Sequence, residues 1–256
     1  MSNATSTTAS SAAVQAAVRQ HAPLVQCITN YVSMDLAANV LNAAGASPAM
    51  VHDPCEAGEF AALAGAVVAN IGTPSPRWVD GMADAVSTAH EAGTPWVLDP
   101  VAVGATAYRL ETVDRLLAFE PTVIRGNASE VFTIATRTSG GKGVDSDASL
   151  ADVREHADDL AERTGAVVAV TGPEDYVTDG IRDPLVLSGG DPRMPQITAL
   201  GCSLSALVGA CIAVHDDAYE ATVAALAIMS AAGERAGAAA EGPGSLRWRI
   251  IDELAR

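Results

Sequence analysis

The sequence predicts an α/β fold, a single domain with a mostly parallel central sheet and helices on both faces. Three observations carry that prediction. Apolar runs of strand length alternate with longer stretches of helical periodicity along most of the chain. Ala, Val and Gly dominate, and only 4% of residues are aromatic, which suits helices packed closely on a sheet buried on both sides. Polar and glycine residues collect where the apolar runs end. With 256 residues, 49% of them hydrophobic, the chain is long enough for one large domain with a sizeable core.

The elements follow in order. Residues 24–29 read as a strand and 33–44 as a helix; 46–51 as a strand and 56–64 as a short helix. Residues 66–71 form a strand ending in Gly72-Thr73-Pro74, and a helix over 76–92 stops at Gly93. Residues 96–98 run as a strand into Asp99-Pro100, and 106–119 are helical. A strand over 122–125 meets Gly126-Asn127, with a helix over 128–135. A helix over 149–163 precedes a strand over 166–170, then a hairpin pairs 176–178 with 185–187 around Asp179-Gly180. The last third is helical over 202–214, 217–239 and 245–255. Repeated strand–helix units imply parallel pairing with right-handed crossovers. Residues 1–15, rich in Ser, Thr and Ala, predict a disordered tail, leaving 16–256 as the domain; 137–147, with Gly140-Gly141-Lys142-Gly143, reads as a surface loop that lacks the Walker spacing.

Charge narrows the partners. The net charge of -16 excludes nucleic acid and anionic membrane as ligands. Lys142 is the only lysine. An acidic surface of this kind also fits solubility in high salt, so a halophilic protein is one expectation, and a high-GC genome that replaces Lys with Arg is the plainer one. The N-terminus lacks the basic and apolar regions of a signal peptide, and no run reaches a membrane span, so the expected location is cytoplasmic. The four cysteines, Cys27, Cys55, Cys202 and Cys211, are widely spaced, which disfavours a zinc site and predicts reduced thiols.

The predicted strand ends are Thr29-Asn30, Gly72-Thr73, Asp99-Pro100, Arg125-Gly126-Asn127 and Thr171-Gly172. In an open parallel sheet they share one edge, where ligands bind. The stretch Ile197 to Ala206 starts an apolar helix near Gly201-Cys202, whose first-turn N–H groups and dipole favour an anion. Cys202 is either a small buried residue or a thiol whose pKa that position lowers. Asp99 is a magnesium ligand or a loop cap. Glu130 faces the crevice or merely complements its helix dipole. Arg125 leaves a buried strand and needs an anion, either a phosphate or a carboxylate. Thr171 offers a hydroxyl to a nucleotide or is an ordinary strand end, and Met50 is core filler or the wall of a heterocycle pocket.

Several motifs together resemble the hydroxyethylthiazole kinase family of the ribokinase-like superfamily. They are Ile28-Thr29-Asn30-Tyr31-Val32, Gly45 to Met50, Asn70-Ile71-Gly72-Thr73, Leu98-Asp99-Pro100-Val101, Gly104-Ala105-Thr106, Ile124 to Glu130, Lys142 to Ser146, Val170-Thr171-Gly172 and Gly201-Cys202. The resemblance spans roughly residues 16–250. It implies transfer of the ATP γ-phosphoryl group to the hydroxyl of 4-methyl-5-(2-hydroxyethyl)thiazole in thiamine biosynthesis or salvage, with Mg2+ as cofactor. Carried over, it makes Cys202 the catalytic residue that accepts the alcohol proton. Arg125 and Thr171 become ATP contacts, Met50 and Ala199 thiazole contacts, and Asp99 and Glu130 magnesium acids. It also implies a homotrimer with sites at subunit interfaces. Ala199-Leu200 stand where some members carry Gly-Thr, so the bulk of Leu200 predicts a narrower pocket. Another ribokinase-like kinase of small alcohols, on hydroxymethylpyrimidine or a sugar, and a non-catalytic nucleotide- or thiazole-binding module remain as alternatives. The first expects Asp at position 202; the second has no need of Asp99, Glu130 and Cys202 together.

Overall fold

The structure, a computed structural model, describes residues 2–138 and 150–256. Lys142 and most of the loop expected over 137–147 lie outside the described residues. The strands are β1 (Leu24–Ile28), β2 (Ser47–Ala49), β3 (Ala66–Asn70), β4 (Trp96–Asp99), β5 (Val123–Asn127), β6 (Val167–Thr171), β7 (Glu174–Thr178) and β8 (Leu185–Ser188). They form one sheet in the order β2-β1-β3-β4-β5-β6-β7-β8. Pairing is parallel from β2 to β6 and antiparallel at β6–β7 and β7–β8, so the predicted hairpin forms the sheet's far edge.

Both faces of the sheet are covered because successive strand residues face opposite cores. Val25, Cys27, Val68, Val97, Val123 and Ala169 pack on one side. Ile28, Val67, Ala69, Leu98, Ile124 and Val168 pack on the other. The first side is closed by α1 (Ser2–His21), α2 (Met34–Ala44), α8 (Leu200–Ile212), α9 (Ala218–Gly237) and α10 (Pro243–Leu254). The second is closed by α3 (Ala57–Ala61), α4 (Pro76–Ala92), α5 (Ala107–Leu117), α6 (Ala128–Thr136) and α7 (Leu150–Thr164). Capping marks the boundaries. Ser75 accepts the Trp78 N–H at the head of α4, with Pro76 at its first position, and Gly93 ends it at φ 69°. No helix among the described residues is long and apolar enough to cross a membrane.

The N-terminal stretch takes helical form. Residues from Ser2 onward are helical rather than disordered, and α1 packs on α9. Ser11, Val14 and Val18 fall on one helical face and are buried, and Val14 and Val18 belong to the core, so the boundary expected at residue 15 is not one. Arg19 fastens the helix to the chain's other end, donating to the carbonyls of Leu254 and Arg256 at 2.9 Å each. The composition that suggested disorder is alanine-rich, and alanine is the strongest helix former once an apolar stripe has something to cover.

Removing two buried carbons at Val18 costs about 2 kcal/mol. Val18→Ala should therefore lower the thermal midpoint by about 4–8 °C. An unchanged midpoint in differential scanning calorimetry would overturn the packing of α1 on the core.

Candidate active site

The crevice lies at the C-terminal ends of β1, β3, β4, β5 and β6. Parallel register sets Asn70 beside Asp99, and Asn127 beside Thr171. Helix α8 enters from above. It starts at Leu200 rather than at Cys202, after Ala199 turns the chain at φ 70°. Cys202 is thus the third helical residue, and the first-turn N–H groups around it lack partners within the helix.

Asp99 sits at the centre, fully buried. Its Oδ2 accepts from Asn70 Nδ2 at 2.6 Å and from Ser205 Oγ at 2.8 Å, and lies 4.0 Å from an Arg125 terminal nitrogen. Its Oδ1 is buried with no hydrogen-bond partner. Burial raises the Asp99 pKa to about 6; the charge of Glu130 adds to the rise, while Arg125, Ser205 and Asn70 oppose it.

Arg125 leaves β5 and is 9% exposed. One terminal nitrogen donates to Thr171 Oγ1, so two predicted nucleotide contacts are bonded to each other. The guanidinium rests on the backbone of Gly201, where a Cβ would come within 2.9 Å of Nη1. Glycine is needed there so that the cation can lie against the first turn of α8. The result is one electropositive surface built from a guanidinium and a helix N-terminus.

Cys202 is half-buried, and Asn30 Nδ2 donates to its Sγ at 3.3 Å. Its pKa is raised, not lowered as the helix position alone predicts. Burial is the main cause and the Asp99 charge the next, outweighing hydrogen bonds from Asn70 and Asn30 and the charge of Arg125. The free protein therefore holds a thiol near neutral pH.

Glu130 is joined to the same region, but its oxygens are engaged. Oε2 accepts from the Asn127 N–H at 2.8 Å, and Oε1 from the Ala102 N–H at 2.9 Å. With Asn127 accepting the Glu130 N–H it completes a capping box and ties the loop after β4 to α6. Met50 and Ala199 are partly buried against the core that contains α8. Leu200, expected to narrow the pocket, is itself 7% exposed within that core. Among the described residues no three His, Cys, Asp or Glu side chains converge to hold a metal ion. The groove lined by His21, Gly65, Pro95 and His215 lies at the opposite ends of the strands, away from this chemistry.

Sequence reasoning missed four contributors. Asn30 and Asn70 appear in the motifs without a role, and Ser205 lies in the stretch Ile197 to Ala206 without one. Arg109 was also missed: its guanidinium donates to the carbonyls of Ile71, Gly72 and Val101 at 2.7, 2.8 and 2.7 Å, holding the loops after β3 and β4 together. Its only sequence signal was a single cation just past a cap residue.

The sequence pattern of the Hydroxyethylthiazole kinase family matches residues 15–256. The chain belongs to the hydroxyethylthiazole kinase family. It is 58% identical over 237 residues to the hydroxyethylthiazole kinase of Cereibacter sphaeroides, an alignment covering 93% of this chain and 90% of the relative. It is 55% identical over 240 residues to that of Rhizobium rhizogenes, covering 93% and 89%. A solved hydroxyethylthiazole kinase structure from Pyrococcus horikoshii superposes with a TM-score of 0.88 at 36% identity, covering 95% of this chain and 92% of that one. The pyridoxal kinase of Bacillus subtilis, at 19% identity and a TM-score of 0.60, covers 82% of this chain and 91% of its own, and shares the ribokinase-like fold. The single sheet with two helical layers expected from the sequence is thus the architecture of this kinase family.

Two stability tests address the site of this family member. An acid whose folded pKa lies above its unfolded value costs nothing below the unfolded value and the full amount above the folded one. For Asp99, moving from 3.8 to about 6, the cost grows between about pH 4 and pH 6 and reaches about 3 kcal/mol. Asp99→Asn, which keeps an acceptor for Asn70 and Ser205, should raise the thermal midpoint at pH 7 by several degrees, and that gain should vanish near pH 4. A midpoint that falls at pH 7 would contradict the buried-charge account. At Ala199 the left-handed conformation costs about 1–2 kcal/mol, partly offset by glycine's greater freedom when unfolded. Ala199→Gly should stabilise by about 0.5–1 kcal/mol in urea titration.

Proposed function

We propose that this protein is an ATP-dependent kinase that phosphorylates the hydroxyl of 4-methyl-5-(2-hydroxyethyl)thiazole in thiamine biosynthesis or salvage. One observation carries the reading: Cys202 stands in the first turn of α8 while Arg125 lies against that same turn at Gly201. A hydroxyl held by the thiol is then next to an electropositive surface suited to a phosphoryl group. The high identity to named hydroxyethylthiazole kinases supports the choice of alcohol.

The alcohol oxygen attacks the γ-phosphorus, the bond to the β-phosphate oxygen breaks, and ADP leaves. Such a transfer needs alignment and charge stabilisation more than a strong base. Arg125 and the α8 N–H groups stabilise charge on the transferring group. Thr171 holds the guanidinium in place and borders the nucleotide. With its pKa raised, Cys202 enters as a thiol, so its first task is orientation, the sulfur accepting the hydrogen bond of the hydroxyl. The alcohol's proton departs late, to an oxygen of the transferred phosphoryl group and from there to solvent. Met50 and the Ala199 backbone line the thiazole side.

The donor set suits Mg2+. Asp99 Oδ1 is a buried carboxylate oxygen with no partner, and Mg2+ takes one or two protein carboxylates with phosphate oxygens completing its shell. Asp99 would hold it. Glu130 would add charge from behind, its oxygens remaining on the backbone. A bound cation supplies charge neutralisation between the phosphates.

The assembly we propose is a homotrimer. Tyr31 and Val32, 68% and 60% exposed beside Asn30, give the crevice an apolar lip that a neighbouring subunit would cover. The location is cytoplasmic, and the net charge of -16 supports function in high salt.

ADP release from ATP and Mg2+ tests the reaction with hydroxyethylthiazole beside hydroxymethylpyrimidine and ribose, in low and molar KCl. Thiazole-dependent turnover that holds up in molar KCl is expected. Turnover on another alcohol alone would move the substrate, and silence on all three from folded protein would favour a binding module. Cys202→Ala should keep measurable activity, lowered about 10- to 100-fold, because orientation is lost while the phosphoryl site remains. Complete loss would make the thiol an obligatory base.

A further inference from the structure

Two asparagines connect the buried carboxylate to the thiol, and the backbone decides which way each amide faces. Asn30 Oδ1 accepts the N–H groups of Val32 and Ser33, both at 3.1 Å. Its NH2 group is thereby turned the other way, one hydrogen toward Asn70 Oδ1 at 2.9 Å and one toward Cys202 Sγ at 3.3 Å. Asn70 is fixed similarly. Its Oδ1 also accepts the Gly72 N–H at 2.9 Å, and its Nδ2 donates to Asp99 Oδ2. Flipping either amide would set NH2 against backbone N–H groups, so donors and acceptors run one way only. Both side chains are buried, at 5% and 1% exposure, where an unmet hydrogen bond is costly. Gly72 leaves room for the relay, since a Cβ there would lie 2.5 Å from Asn30 Nδ2.

We infer that Asn30 is a positioning residue for the transfer: its amide, oriented by the Val32 and Ser33 N–H groups and braced by Asn70 on Asp99, holds the Cys202 sulfur as a hydrogen-bond acceptor and leaves the sulfur's other side to the substrate hydroxyl. This inference rests on the kinase reading. Donation by Asn70 to a carboxylate makes its Oδ1 a better acceptor, which tightens its hold on Asn30. The amide N–H also stabilises negative charge on sulfur beside the repelling Asp99 and the attracting Arg125. Sulfur is a soft, long-range acceptor, and without Asn30 the amide left beside it is that of Asn70, already committed to Asp99 Oδ2 at 2.6 Å.

Asn30→Asp is the informative variant. It keeps an oxygen for the Val32 and Ser33 N–H groups and replaces the donor to sulfur by an acceptor of nearly the same shape. Both proteins carry Cys55→Ser, which removes the exposed thiol; Cys27 and Cys211 are buried. Iodoacetamide alkylation of Cys202 at pH 8, followed by peptide mass spectrometry without substrate, should slow about ten-fold, as expected for loss of one hydrogen bond to a charged group. In the kinase assay kcat should fall at least as much, with KM for ATP within about two-fold. An unchanged or faster alkylation, or a rise in KM for ATP with kcat intact, would overturn the inference. Should Asn30→Asp not fold, Asn30→Ala takes its place with the same expected readings. Two unfolded variants would make Asn30 a folding residue and overturn it as well. Absence of thiazole turnover in the parent would sink the kinase reading alone, because alkylation needs no substrate.

Discussion

A carboxylate with nowhere to go organises this protein. Asp99 ends β4 inside a sheet covered on both faces, and burial lifts its pKa to about 6. At neutral pH it is charged all the same. Everything around it answers that charge: an amide from β3, a hydroxyl from α8, a guanidinium from β5. The answer is incomplete. Oδ1 keeps no partner, and Arg125 stands at 4.0 Å rather than in a close ion pair. A fold built only for stability would finish the pairing or replace the acid, because a buried, half-paired charge costs more than an apolar substitute. In the function proposed above, that open oxygen is where a cation would be held.

The sheet makes that arrangement possible. Parallel strands deliver their C-terminal residues to one edge in register, so Asn70 and Asp99 are neighbours although 29 residues apart. The buried strands hold each end rigidly. Arg109 then draws the loops after β3 and β4 together through three carbonyls, and Glu130 draws the loop after β4 onto α6 through two N–H groups. Two long charged side chains thus spend their hydrogen bonds on backbone. They fix loops whose own sequence, rich in Gly and Pro, would not hold one shape.

Much of this could be read from the chain. Strands buried on both faces are continuous apolar runs, so β1, β3 and β6 stood out, and their polar endings marked the crevice. What stayed hidden depends on partners distant in sequence. Asn30 and Cys202 are separated by 172 positions, and no local pattern announces their contact. The thiol's pKa was expected to move the wrong way for a related reason. A helix N-terminus is legible in a sequence, whereas the depth of burial and a nearby Asp99 are not, and they dominate. Glu130 shows the opposite case. The motif Asn127-Ala128-Ser129-Glu130 is a capping box by spacing alone, yet attention to crevice acids obscured that simpler role. In the first helix, Ser, Thr and Ala set the composition while the buried pair Val14 and Val18, four residues apart, is the helical signal.

The acidity of the chain bears on how the site must work. With a net charge of -16, long-range fields oppose a triphosphate, and attraction has to be local. Arg125, at 9% exposure and against a helix N-terminus, is the cation that the proposed function relies on for it, placed where screening is least. Its Nε is buried without a partner, as is Asp99 Oδ1, so two opposite charges in the crevice each retain an unmet valence. In the function proposed above, phosphate oxygens would satisfy the first and a cation the second. The cost of keeping both open is borne by the fold around them, which is why the residues that brace this pair are buried amides and hydroxyls rather than further charges.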